Sequence, residues 1–277
     1  MDTRTALSIL FICAIFLLAR LETNQNISKL PQELKNAVGI ETALQSLPEA
    51  TTTNLAVVRI PIFIYHSVRE PIPNETAMQD RYDITPELFE RQLAYLKNNG
   101  YTVITIDQVA TDIRTRTTGG IAKPVVLTFD DGEESQYTAA FPLLKKYGVT
   151  ATFYVYTNVI GKKYFLNWNQ IKKMDSAGMT IGGHTLSHPY LITLSPTEVR
   201  RQIEGGKKIL AEHLCQPLLH LAAPFRYTDK DIMAIIKLVG YTTGRTTFRG
   251  AYQDDPYKLR GFLVSDNFGD FLRELNR

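Results

Sequence analysis

Two clusters of side chains in this sequence could do chemistry. The first is Asp130-Asp131-Gly132, which follows the apolar run Val125 to Leu127. That β-branched run predicts a buried strand that ends at the two carboxylates. In α/β folds, strand ends are where reacting groups gather. Two adjacent full negative charges repel unless a cation lies between them or one is protonated, and a metal is the simplest remedy. Alone, Asp-Asp-Gly reads more readily as an ordinary turn. The second cluster, His184-Thr-Leu-Ser-His188-Pro189, follows the short apolar run Met179 to Ile181. One aspartate with two histidines makes a three-ligand set that leaves a fourth tetrahedral position open for water, as in catalytic zinc sites. His-x-x-x-His by itself is a weak signal; two such clusters at two strand ends are a strong one.

The elements needed to carry these clusters are legible in the flanking sequence. Ile60-Pro-Ile-Phe-Ile-Tyr-His66 reads as a strand ending in a third histidine. Thr85 and Pro86 open a helix whose Phe89, Leu93 and Leu96 share one face, closed by Gly100. Residues 101–106 then predict a strand, 108–116 a helix, 125–129 the carboxylate strand, 137–147 a helix and 151–155 a strand. A helix over 168–177 precedes the histidine strand. Ser195-Pro-Thr-Glu198 is a capping box for a long helix to about Leu214. A strand over 220–224 and a helix over 229–238 follow, and residues 241–243 and 261–264 suit final strands. This β-then-α rhythm implies parallel strands covered by helices. Strands ending in His66, Asp130/Asp131 and His184/His188 favour an α/β fold of the distorted (β/α) barrel type with about seven strands, because a barrel brings its strand C-termini to one mouth.

The chain has 277 residues, 44% hydrophobic and 21% charged, which suits one globular domain plus extras. A formal charge of +3, with no Lys/Arg run, argues against a nucleic-acid partner. Arg4 precedes the apolar residues 7–19, a length that fits a signal peptide better than a membrane span, which needs roughly twenty residues. We therefore expect export to the periplasm, cell surface or medium, with residues 1–23 a leader or an N-terminal membrane anchor acting through residues 5–19. Residues 24–57 read as a polar spacer, with a short helix near Gln32 to Val38, and residues 58–277 as the catalytic domain. Asn26 and Asn74 match the glycosylation sequon, relevant only in a eukaryotic secretory pathway. Cys13 lies in the leader, so Cys215 stands alone in the mature chain as a small apolar residue, without a disulfide.

Thr128-Phe-Asp-Asp-Gly132 and His184-Thr-Leu-Ser-His188 together resemble the polysaccharide deacetylases, the carbohydrate esterase family with the NodB homology domain. Ile64-Tyr65-His66, Phe89-Glu-Arg-Gln-Leu93 and Asn167-Trp168 are similar to the exported branch that includes biofilm poly-N-acetylglucosamine deacetylases. The resemblance implies that Asp131, His184 and His188 hold a divalent metal, usually zinc and sometimes cobalt or nickel. It implies that Asp130 is the general base, taking a proton from the attacking water, and that the substrate is an N-acetylated polysaccharide.

The third family motif, Arg-x-Pro-aromatic, stands here as Ala222-Ala-Pro224-Phe225. Pro224 and Phe225 survive, and the Phe225 backbone N–H is expected to help hold the oxyanion. The arginine is gone, so whatever orients the base is absent or supplied from elsewhere, with Arg226 one substitute. No histidine follows His220, so the family's C-terminal acid is also missing. We expect His66, at the end of the first strand, to fill that space, since first and last strands are neighbours in a closed barrel. Trp168 is read either as a sugar-stacking residue at the mouth or as packing beneath it. Tyr65, His213 and His220 are read as structural, and Arg260 and Asp266 receive no role. The competing readings are an O-acetyl esterase on a xylan-type polymer and a catalytically silent glycan-binding module of an exopolysaccharide system.

Overall fold

A computed structural model describes residues 57–72, 82–214, 217–225 and 229–277. The leader, the spacer up to residue 56, both sequons, Cys13, Cys215 and Arg226 lie outside these residues.

The carboxylate strand, β6 (Pro124–Phe129), is buried at all six positions. It pairs in parallel with β2 (Ile62–Tyr65) on one side and β7 (Thr152–Val155) on the other. Beyond β7 follow β8 (Thr180–Gly183), β9 (His220–Ala222) and β10 (Thr243–Arg245), and beyond β2 lies β12 (Phe262–Leu263). The order β10-β9-β8-β7-β6-β2-β12 is parallel at every step. The short β5 (Thr102–Val103) joins only the first two residues of β6. The outer edge of β10 meets the segment leading into β12: Leu259 N–H donates to Gly244 C=O at 3.0 Å, and Thr246 N–H to Leu259 C=O at 2.9 Å. The seven strands therefore curl into the expected distorted barrel, closed at one narrow seam.

Parallel strands buried on both faces read as continuous apolar runs, yet their side chains still alternate. Val125, Leu127 and Phe129 join the large core cluster with Phe63 and Tyr65, while Val126 faces the other way with Ile60, Ile62 and Leu259. Stacked rings fix the ends of these strands. Phe129 lies 4.8 Å from Phe153 and 5.0 Å from Tyr65, whose hydroxyl donates to the buried Gln92 Oε1 at 2.9 Å. Tyr65 is thus scaffold, as expected.

The helices follow their capping signals. Thr85 caps α1 (Pro86–Asn98), Asn167 closes a capping box on α4 (Trp168–Ser176), and Ser195 caps α5 (Pro196–Ala211). Two expectations shift. The strand anticipated over 101–106 shrinks to β5 because Thr105 caps α2 (Ile106–Thr115), taking Ile106 into the helix. The helix anticipated over 137–147 begins as one π-turn, Gln136–Ala140, before α3 (Phe141–Tyr147). The next helix, α6 (Lys230–Leu238), falls where expected, whereas a last helix, α7 (Phe268–Asn276), was not anticipated. Nor were the two-residue pairings of β1 (Val58–Arg59) with β11 (Tyr252–Gln253) and of β3 (Ser67–Val68) with β4 (Asp83–Ile84).

The barrel interior is narrow where β8 runs. A Cβ on Gly183 would collide with the buried Tyr241 hydroxyl. Gly183→Ala is expected to destabilise the protein by about 1–3 kcal/mol, the range for overpacking, read as a lower urea midpoint. At the opposite end of the strands, His220 sits between the Thr243 hydroxyl (3.0 Å) and the Asp107 carboxylate (3.1 Å). The hydrogen bond from His220 holds the Asp107 carboxyl below its ordinary value despite partial burial. The unfolded chain then binds this proton more readily, so the contribution is present above the ordinary carboxylate range and is lost as pH falls through the folded value. Asp107→Asn is expected to lower Tm at neutral pH and to flatten the acid limb of a Tm-against-pH curve.

Candidate active site

Every candidate except Trp168 lies at or just beyond a strand C-terminus. Asp130 and Asp131 end β6, and Asp130 N–H donates to Tyr65 C=O of β2 at 2.9 Å, which draws His66 to the same level. His184 follows β8, and His188 hangs from the next turn, where its N–H donates to Thr185 Oγ1 at 3.1 Å. These side chains border a cleft of about 520 Å³ whose rim carries Tyr82, Tyr190, Phe225 and Leu263.

Asp131, His184 and His188 converge. The Nε2 atoms of His184 and His188 lie 3.3 and 3.1 Å from Asp131 Oδ1. His184 Nδ1 is 2.7 Å from Ala222 C=O, so that nitrogen carries the proton and Nε2 presents a lone pair. Asp131 Oδ1 is itself buried without a hydrogen-bond partner. Three electron-pair donors aimed at one point fit a cation, and among the described residues this is the one His/Cys/Asp/Glu cluster with ligand atoms all within 4.8 Å of one another. Burial raises the Asp131 carboxyl, but when the imidazoles are protonated, hydrogen bonds from His184 and His188 and the charge of His184 and His66 outweigh it and hold the group well below the usual carboxylate range.

Asp130 has a different partner. Both its oxygens accept from the guanidinium of Arg245, which ends β10 and is fully buried. The Asp130 carboxylate is therefore oriented by an arginine from the strand after Ala222-Ala-Pro-Phe225. Because β9 and β10 are in register, Ala222 opposite Arg245, the later arginine replaces the earlier one in space. Arg226, the substitute weighed from the sequence, lies outside the described residues. Arg245 was missed although the expected strand over 241–243 needs only two more residues to place it at a strand end.

Gln136 was missed too. Buried in the π-turn, its side-chain amide donates to the backbone carbonyls of both His66 (3.1 Å) and Asp130. One side chain thereby ties the two strand ends together. A second tie runs from the Ser67 hydroxyl to Glu133 Oε2. His66 Nε2 stands 4.0 Å from Asp131 Oδ2, and burial pulls its imidazole below the ordinary value against the opposing charge of Asp130 and Asp131.

Phe225 stands at the rim, its ring 5.0 Å from His188 and 5.5 Å from Tyr190, with Pro224 buried behind it. Trp168 does not line the cleft, which corrects the sugar-stacking expectation. It is the first residue of α4, and its indole stacks on His213 at 3.9 Å. His213 and His220 have structural partners, as expected. Arg260 faces Asp254 at 3.8 Å, and Asp266 is exposed.

The polysaccharide deacetylase family profile matches residues 118–244, which span β6 to β10. YxkH of Bacillus subtilis (strain 168), named for the polysaccharide deacetylases, is 31% identical over 225 residues, covering 78% of this chain and 77% of that one. The chain belongs to the polysaccharide deacetylase family. The poly-beta-1,6-N-acetyl-D-glucosamine N-deacetylase of Staphylococcus aureus (strain N315) is 25% identical over 208 residues, 69% of this chain and 71% of that one. Among solved structures, the Streptococcus pyogenes deacetylase PplD in complex with acetate superposes with a TM-score of 0.73 at 29% identity, covering 79% of this chain and 99% of that one. For this deacetylase family member, removing the Arg245 charge would leave a buried carboxylate uncompensated. Arg245→Met is expected to cost about 3–5 kcal/mol of stability in urea denaturation, with divalent-metal affinity by calorimetry retained because the trio is untouched.

Proposed function

We propose that this protein removes acetyl groups from an N-acetylated glycan of the poly-N-acetylglucosamine class, using a divalent metal, zinc by the chemistry of the donor set. The observation that carries the reading is the division of labour at the end of β6. Asp131 belongs to the converging trio, while its neighbour Asp130 stays outside it, gripped by Arg245 and facing the same cleft. A metal held by Asp131, His184 and His188 would polarise the acetyl carbonyl and make water a competent nucleophile at neutral pH.

In this reading Asp130 takes one proton from the attacking water as its oxygen bonds to the carbonyl carbon. When the C–N bond breaks, His66, across the cleft, gives a proton to the leaving nitrogen, so the products are acetate and a free amine. The Phe225 backbone N–H is proposed as an oxyanion donor beside Pro224. The substrate class is supported by the name of the staphylococcal relative. A silent binding module is disfavoured, since binding alone needs no carboxylate oriented by a buried arginine. Nothing in the cleft favours an ester over an amide. The apolar residues 5–19 support export, with the leader either cleaved or kept as an anchor.

The test is acetate release from poly-β-1,6-N-acetylglucosamine, with the new amine measured in parallel. Release is expected to stop on chelation and return with zinc, cobalt or nickel. Asp130→Asn is expected to keep the metal and lose about 10²–10⁴ in kcat, the usual contribution of a general base, and His66→Ala to lower kcat at similar metal affinity. Full turnover by Asp130→Asn would sink the base assignment, and ester hydrolysis without amine formation would move the reading to an esterase.

A further inference from the structure

The segment Ala222-Ala223-Pro224-Phe225 leaves the end of β9 and is held at successive points. Ala222 C=O accepts from His184 Nδ1 at 2.7 Å, and Ala223 N–H donates to Arg245 C=O at 3.2 Å. The ring of Pro224 fixes its own φ and removes a donor, so Phe225 N–H is the next donor along the segment. Among the described residues that N–H has no hydrogen-bond partner, and Phe225 borders the cleft. Phe225 has φ +59°, a conformation that costs a non-glycine residue about 1–3 kcal/mol and needs support from its surroundings. Thr247, another residue of the cleft wall, supplies it: its hydroxyl donates to Phe225 C=O at 2.6 Å. Thr247 is placed by β10. Arg245, the last residue of that strand, turns to Asp130. Thr246 turns away, and its N–H and hydroxyl both donate to Leu259 C=O, at 2.9 and 3.0 Å. The strip 245–247 is thereby pinned at its middle, with Arg245 gripping one side chain of the cleft and Thr247 another residue of its wall.

We infer that Thr247 is a positioning residue for the hydrolysis: through the Phe225 carbonyl it holds Phe225 so that the free N–H meets the oxygen on which charge develops. The inference rests on the deacetylase reading and deepens it. Ala223 is fixed by Arg245 and Pro224 by its ring, so the bond from Thr247 restrains the freedom that remains at Phe225. An oxyanion donor acts only if it already stands about 2.7–3.1 Å from where the oxygen will be in the tetrahedral state. Misplacement by about 1 Å forfeits much of that stabilisation. The Thr247 hydroxyl touches no reacting atom, because its proton is committed to Phe225 C=O. Its effect therefore falls on the transition state and leaves the binding of unreacted substrate alone.

The experiment compares the metal-loaded full chain with two hydroxyl-free variants, Thr247→Val of the same shape and Thr247→Ala of smaller size, and with Thr247→Ser, which keeps the hydroxyl. Each is checked for folding by thermal melting and for zinc affinity by calorimetry. Acetate release is measured on a β-1,6-linked N-acetylglucosamine hexamer and on 4-nitrophenyl acetate, whose carbonyl passes through the same kind of oxyanion without a sugar. Both hydroxyl-free variants are expected to lose about tenfold in kcat on the hexamer, a part of the 10²–10³ that follows outright removal of an oxyanion donor. The aryl acetate should change in the same direction, KM and zinc affinity should hold, and Thr247→Ser should restore the rate. Wild-type kcat in the hydroxyl-free variants would overturn the inference, as would an equal loss in Thr247→Ser or a loss carried by KM alone. Wild-type turnover of aryl acetate with none of the hexamer would remove the glycan reading and leave Thr247 to be judged on the ester. Turnover of neither would remove both.

Discussion

Two carboxylates on consecutive residues at the end of a fully buried strand are the constraint around which this protein is built. Neither negative charge is tolerable there without a positive partner. The fold answers with two separate partners instead of one shared cation. Arg245, from β10, takes both oxygens of Asp130. His184 and His188, from the end of β8, converge on Asp131 with lone pairs that a metal would satisfy. The separation gives the neighbours different chemistry. A carboxylate tied into a ligand set has its lone pair committed there, whereas one gripped by a guanidinium from another strand has its orientation set without joining that set.

Holding these groups in place requires backbone that most residues avoid. Asp131, Thr185, His188 and Phe225 all have positive φ, at 73°, 72°, 59° and 59°. Such conformations cost about 1–3 kcal/mol each and persist only where the surroundings over-determine them. The surroundings are visible here. Thr185 Oγ1 accepts from His188 N–H, Gln136 joins the carbonyls of His66 and Asp130, and Ser67 reaches Glu133 across the same two loops. The π-turn that carries Gln136 belongs to the same economy of position, since a regular α-helix over these residues would turn that side chain elsewhere.

The placement of the cleft's side chains was legible in the sequence because they stand in short motifs at strand ends. Asp130, Asp131, His184, His188 and His66 could each be placed from the apolar run before it, and the strand and helix rhythm sufficed for the barrel. The groups that act through tertiary pairing were not legible. Arg245 reaches Asp130 only because β9 and β10 align in register and the sheet curls back, and nothing near residue 245 announces this. Gln136 looked like the polar lead-in to an amphipathic helix. Trp168 stayed between two readings because an aromatic before a helix carries no sign of which neighbour it covers, here His213. The two-residue ladders of β1 with β11 and β3 with β4 are too short to show a period at all.

In a curled sheet of parallel strands, sequence order and spatial order are only loosely linked. All C-terminal strand ends meet at one mouth, so a group can be supplied by any strand that ends near the right place. Here the arginine that grips Asp130 comes from β10 instead of from the Ala222-Ala-Pro-Phe segment, and the imidazole 4.0 Å from Asp131 follows β2. β12, at the end of the chain, is the hydrogen-bonded neighbour of β2, so a side chain leaving β2 enters the space that one leaving β12 would fill. The loss of two motif residues from their usual places therefore need not mean the loss of their functions. What the chemistry requires is a set of groups at a set of strand ends, and the barrel leaves open which strand provides each one.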